Sequence, residues 1–103
     1  MGKITRALTT LTIPEYVSWY ALDDCVVVVD LRNHRRFTLN DTAASLWRWL
    51  DHEPAMADLS HRLCTEYRVS APIAAKDTED FVRLLQQERL VYIFDDETRT
   101  LPR

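Results

Sequence analysis

Cys25-Val26-Val27-Val28-Val29-Asp30-Leu31-Arg32-Asn33-His34-Arg35-Arg36-Phe37-Thr38-Leu39-Asn40-Asp41-Thr42-Ala43-Ala44-Ser45-Leu46-Trp47-Arg48-Trp49-Leu50 decides the fold, because its hydrophobic period changes twice. Cys25 to Leu31 is a β-branched run too short for a helix. Its lack of alternation predicts a central strand covered at least partly on both faces. Arg32-Asn33-His34 reads as a hairpin loop, with Asn33 tolerating the positive φ where glycine is more usual. Arg35 to Leu39 then alternates, placing Phe37 and Leu39 on the core face and Arg36 and Thr38 on the other. After Asn40 or Asp41, either a good N-cap, the period becomes helical: Ala43, Leu46, Trp47 and Leu50 predict a first helix ending before Pro54.

Working outward, Tyr16 to Leu22 reads as a strand rich in aromatic and aliphatic residues, closed by the turn pair Asp23-Asp24. The three strands form an antiparallel meander whose last member, Arg35 to Leu39, is an edge. A second helix runs from about Ala55 to Tyr67, with Met56, Leu59, Leu63 and Tyr67 on one face. Ser70 caps a third, which carries Pro72 in its first turn and continues to about Arg89. Leu90 to Phe94 leaves it as a short apolar tail. The reading is one α+β domain of winged helix-turn-helix type, a three-stranded antiparallel sheet followed by three helices. Residues 1–12 form an N-terminal extension, 13–94 the domain and 95–103 a flexible tail.

Composition removes whole classes of function. The 103 residues contain one glycine, Gly2, where average usage predicts about seven. Without glycine in the body there is no GxGxxG turn, GxxxxGK[ST] phosphate loop or GxSxG elbow. A chain of this length builds a core of about two layers and no deep, lidded cavity. Sixteen acidic residues against 13 basic ones oppose nucleic-acid binding. Cys25 and Cys64 lack CxxC spacing and read as free thiols of a reducing compartment. No segment has the form of a signal peptide or a membrane span, so a cytoplasmic protein without a membrane partner is expected.

Chemistry is equally sparse. His34, His52 and His61 are the only imidazoles, and His61-x-x-Cys64 alone has ligand spacing, too little for a metal site. Cys25 begins an apolar strand and Cys64 flanks Leu63, settings that disfavour a thiolate. No cofactor, metal or catalytic residue is predicted. The third helix carries Asp77, Glu79, Asp80 and Glu88 against Lys76, Arg83 and Arg89, which is wrong for a DNA-reading helix. On a helical wheel Ala74, Phe81 and Leu85 form its apolar centre, while Ile73, Asp77, Asp80 and Leu84 lie along one flank. That flank is either an ordinary core margin or the wall of a cleft beside the edge strand, able to take an extended peptide by strand addition.

Phe37-x-Leu39-Asn40-x-Thr42-Ala43, followed by an aliphatic-aromatic helix, resembles the hallmark segment of PqqD-like proteins, the recognition elements for ribosomally made, post-translationally modified peptides. The likeness extends over about Ile13 to Ile93; His34 and His52 stand where relatives usually have glycine. With its Ile13-Pro14-x-x-Val17 entry, the chain looks most like the stand-alone leader-binding half of the split lasso-peptide leader peptidase. The resemblance implies a peptide chaperone that is not itself an enzyme. It would grip the precursor's leader and present it to a transglutaminase-like cysteine protease, after which a macrocyclase closes the ring. The leader would pair with Arg35, Arg36, Phe37, Thr38 and Leu39, place apolar side chains toward Ile73, Phe81 and Leu84, and offer a cation or hydroxyl to Asp77 and Asp80. Lasso leaders typically offer a Tyr and a Pro to such an apolar pocket. Arg35 and Arg36 either contact leader carboxylates or protect the edge by charge. Phe81→Asp is expected to abolish binding with the fold intact. The alternatives are a carrier for the pyrroloquinoline quinone precursor serving a radical enzyme, and a winged-helix DNA-binding regulator.

Overall fold

A computed structural model describes residues 9–95. The elements follow as β1 (Thr9–Thr12), β2 (Val17–Ala21), β3 (Cys25–Asp30), β4 (Arg35–Asn40), α1 (Asp41–Leu50), α2 (Met56–Tyr67), α3 (Ala71–Gln87) and β5 (Tyr92–Asp95). β2, β3 and β4 form an antiparallel sheet in that order. Its register places Trp19, Val28 and Phe37 in one row and Ala21, Val26 and Leu39 in the next. Val26, Val27 and Val28 are all buried, as a central strand covered on both faces requires.

The expected α+β architecture is present, a three-stranded antiparallel sheet followed by three helices in a winged-helix arrangement. Leu46, Trp47 and Leu50 of α1, Leu59 and Leu63 of α2, and Ala74, Phe81, Val82 and Leu85 of α3 close one core over the sheet. Trp47 is fully buried, with Trp19 edge-on at 6.3 Å, a favourable arrangement of ring quadrupoles. On α1 the buried alanine is Ala44, while Ala43 is only partly covered. Trp49, off the main stripe of α1, packs edge-on against Tyr67 of α2 at 6.5 Å and carries the Arg62 guanidinium 4.8 Å above its ring. It serves the contact between α1 and α2. No helix is long and apolar enough to cross a membrane among the described residues.

A second sheet was not legible in the sequence. β1 pairs antiparallel with β5, Leu11 opposite Ile93 and Thr12 opposite Tyr92. The Leu11 amide also donates to the Pro54 carbonyl at 2.9 Å, and Leu11 is buried. Part of the expected extension, residues 9–12, and the expected apolar tail are therefore paired strands. The rest of both terminal segments lies outside the described residues. Thr-Thr-Leu-Thr holds a single apolar residue and its partner strand is some 80 positions away, so no local pattern marks it.

The scarcity of glycine reappears in the backbone. His34, Asp41, Arg68 and Arg89 have φ of 59°, 52°, 55° and 61°, a region that favours glycine because a Cβ crowds the neighbouring carbonyl. In the β3–β4 loop it is His34 that takes the left-handed conformation, where the sequence suggested Asn33. His52 does not adopt it. Arg89 stands at the residue following the cap of α3: its amide donates to the Gln86 carbonyl and that of Leu90 to the Leu85 carbonyl, the paired bonds of a Schellman ending. Ser70 caps α3 by accepting from the Ile73 amide. Asn40 occupies the corresponding place before α1 but its side chain makes no capping bond.

Candidate functional site

β4 is an edge: among the described residues it hydrogen-bonds β3 on one side only. Phe37 and Leu39 face inward opposite Val28 and Val26, and Leu39 is buried. Arg36 and Thr38 lie on the other face, opposite Val29 and Val27, and are exposed. The unpaired side of β4 thus presents main-chain N–H and C=O groups that an added strand can satisfy.

Which face of α3 looks toward this edge follows from one bridge. Arg35, the first residue of β4, donates from its guanidinium to Glu88 at the end of α3, 2.7 Å to the carboxylate and 3.1 Å to the main-chain carbonyl. Glu88 is separated from Asp77, Phe81 and Leu84 by eleven, seven and four positions, spacings that put all four on one side of a helix. The flank carrying Ile73, Asp77 and Leu84 is therefore the side turned toward β4. Ile73 and Leu84 are 52% and 50% exposed, unusually open for large aliphatic residues on the side facing a strand.

Three of the predicted site residues have roles other than those expected. Phe81 is 8% exposed and belongs to the core cluster. It forms the floor beneath the flank and not a free wall, so a charge there would be buried and unpaired and Phe81→Asp would unfold the protein. Asp80 is exposed but already engaged within α3, by Lys76 at 3.0 Å and Arg83 at 3.2 Å. The Lys76 hydrogen bond is the main reason its carboxyl lies below the ordinary carboxylate range. Asp77 forms no salt bridge among the described residues. Arg35 is committed to Glu88 and Asp30, leaving Arg36 as the cation along the edge.

Asp30 was not recognised as a site residue, yet it sets the end of the groove. Its side chain is fully buried. One oxygen accepts from the amides of Arg32 and Asn33 at 3.0 and 3.1 Å; the other accepts from the Asn33 side chain at 3.0 Å and Arg35 at 3.3 Å. These bonds, the Asn33 side chain first, hold its carboxyl at about 2 against burial, which acts the other way. The Asp30-x-x-Asn33 spacing, an Asx-type turn, was the signal that could have found it. Glu88 gave no local signal, because its partner lies 53 positions away.

The described residues contain no group of three or more side chains able to hold a metal ion, and Cys25 and Cys64 are free thiols. What the arrangement offers is an open strand edge beside an apolar and acidic helix flank.

The family described as coenzyme PQQ synthesis protein D (PqqD) matches residues 25–91. No curated protein matches the sequence. Among solved structures, the chain is similar to TbiB1 in complex with the TbiA(beta) leader peptide, with 28% identity and a TM-score of 0.74 over 78% of this chain and 93% of that one. It is also similar to a lasso peptide synthetase B1 complexed with the leader peptide, with 26% identity and a TM-score of 0.73 over 81% and 98%.

Proposed function

The chain belongs to the PqqD family, and from that premise we propose that it binds the leader segment of a ribosomally made precursor peptide during lasso-peptide maturation. The observation that carries this reading is the open edge of β4 beside the exposed Ile73 and Leu84 of α3. The leader adds as a fourth strand, its backbone satisfying β4 and alternate apolar side chains covering Ile73 and Leu84 above the Phe81 floor. Asp77, free of Lys76 and Arg83, takes a leader cation or hydroxyl at the rim, and Arg36 takes a carboxylate along the edge; both orient the peptide more than they hold it. Likeness to two leader-peptide complexes supports the assignment.

The chain acts as a delivery subunit and not as an enzyme. It presents the bound leader to a separate cysteine protease, with a macrocyclase acting afterwards. The test is a fluorescence-anisotropy titration of the full chain with a panel of labelled lasso-precursor leader peptides. The expected result is saturable binding near 1:1 that is lost when the leader's pairing amides are N-methylated, since methylation removes donors and leaves side chains unchanged. Binding indifferent to N-methylation would overturn strand addition.

A further inference from the structure

A cavity of about 480 Å³ lies beside β5 and the β3–β4 loop, lined by Tyr16, Arg32, Arg89, Tyr92 and Phe94 together with Gln86, Val91 and Ile93. That volume is within the range of ligand sites. None of the residues of the β4–α3 groove lines it. Tyr16 organises the site: its hydroxyl donates to the Arg89 carbonyl at 2.8 Å, and the Arg32 guanidinium lies over its ring, 3.8 Å from the centroid. A guanidinium stacked by its face keeps its in-plane N–H edges for a carboxylate. Among the described residues Arg32 and Arg89, like Arg36, Arg48 and Arg68, pair with no carboxylate, whereas Arg35, Arg62, Lys76 and Arg83 do. Two cations without a carboxylate partner among the described residues therefore adjoin one cavity on a chain of net charge −3. Next to them Tyr92 and Phe94, on one face of β5, are 49% and 54% exposed.

We propose that this cavity is a second docking site, which takes a short segment of a partner protein in which an Asp or Glu carboxylate adjoins an aromatic or large aliphatic side chain. The carboxylate forms a fork-to-fork pair with Arg32, reinforced by the charge of Arg89, and the apolar side chain packs on Tyr92 and Phe94. Charge complementarity selects this occupant: an apolar segment alone leaves both arginines unpaired, while an extended polyanion is repelled by the chain's overall charge. The site stands on its own residues and does not depend on what binds β4.

The experiment is a nuclear magnetic resonance titration of the full-length, isotope-labelled chain with acetyl-Glu-Trp-Asp-Leu-amide and its isostere acetyl-Gln-Trp-Asn-Leu-amide. The expected result is saturable shifts at the Arg32 and Arg89 side chains and at Tyr92, Ile93 and Phe94. The isostere should bind at least about tenfold more weakly, and Arg32→Gln with Arg89→Gln should lose the discrimination while the remaining spectrum is unchanged. Equal affinity for the two peptides, shifts confined to β4 and α3, or no saturable shift would each overturn the proposal. Binding that appears only after Asp96→Asn and Glu97→Gln would assign the site to the residues following β5 in the same chain, and the same shifts on concentrating the protein alone would assign it to a second copy. Either result would overturn partner docking.

Discussion

Arg35 joins the first residue of the edge strand to the last turn of α3 through Glu88, at 2.7 Å to its carboxylate, while also reaching the buried Asp30 at 3.3 Å. One guanidinium thereby fixes the hairpin to the helix across the end of the candidate groove. A lysine is a point donor and cannot span both carboxylates in this geometry. Arg35→Lys should lower the melting temperature by a few degrees and weaken leader binding, whereas Arg36→Lys should leave the melting temperature unchanged. Thermal unfolding of both variants followed by circular dichroism checks this.

Ile73 and Leu84 decide whether the α3 flank is a binding surface. Each is half exposed, so Ile73→Asp and Leu84→Asp should change stability by no more than about 0.5 kcal/mol, as surface substitutions usually do. If a peptide covers them, each change removes an apolar contact of about 1.5 to 3 kcal/mol and places a charge beside apolar peptide side chains. Leader affinity should then fall at least about tenfold. Unchanged affinity in either folded variant would show that the flank is an ordinary core margin.

The positions of β2, β3 and β4 and of all three helices could be read from the sequence, because each carries its own period within a dozen or so residues. The edge strand and the flank of α3 were legible for the same reason. What escaped was long-range pairing: β1 with β5, and Arg35 with Glu88. The depth of Phe81 escaped too. A wheel places it at the centre of a stripe but does not say whether that centre faces the core or a groove, and here the 8% exposure of Phe81 beside the 50% of Leu84 separates the two.

Asp30 makes the hairpin acid-sensitive. Its carboxyl falls from the ordinary 3.8 to about 2 in the folded state. A group depressed on folding stabilises the protein above its unfolded value, and that stability is lost as pH falls toward its folded value. Denaturant midpoints should therefore decline between about pH 4 and pH 2. In Asp30→Asn, which keeps the side-chain shape without the charge, the decline over that interval should be smaller and the midpoint at neutral pH lower. Parallel slopes for the two proteins would show that other carboxyls govern acid unfolding.

Thr78 carries a buried hydroxyl without a hydrogen-bond partner among the described residues. It lies on the α2-facing side of α3, in a groove of about 200 Å³ with Met56 and Ala75, away from β4. An unsatisfied buried polar group costs about 1 to 3 kcal/mol. Thr78→Val keeps the branched shape and removes the hydroxyl, so it should raise unfolding stability by about 1 kcal/mol and leave leader affinity unchanged. Lower stability in chemical denaturation would mean that the hydroxyl is solvated in the groove.

Arg68 offers the cleanest measure of what glycine scarcity does to this fold. It caps α2 at φ 55° and ψ 41°, is exposed, and its side chain makes no hydrogen bond among the described residues. The left-handed conformation costs a residue with a Cβ roughly 1 to 2 kcal/mol. Arg68→Gly removes that strain but enlarges the unfolded ensemble, which offsets about 0.4 to 1 kcal/mol of the gain. The net expectation is a stabilisation of up to about 1.6 kcal/mol. Arg68→Ala is the control, since it deletes the side chain and keeps the Cβ. It should show no such gain, and the difference between the two variants in urea unfolding isolates the backbone contribution from any loss of charge. Equal stabilities for the Gly and Ala variants would make the left-handed strain no larger than the entropy term, and a less stable Gly variant would place it below.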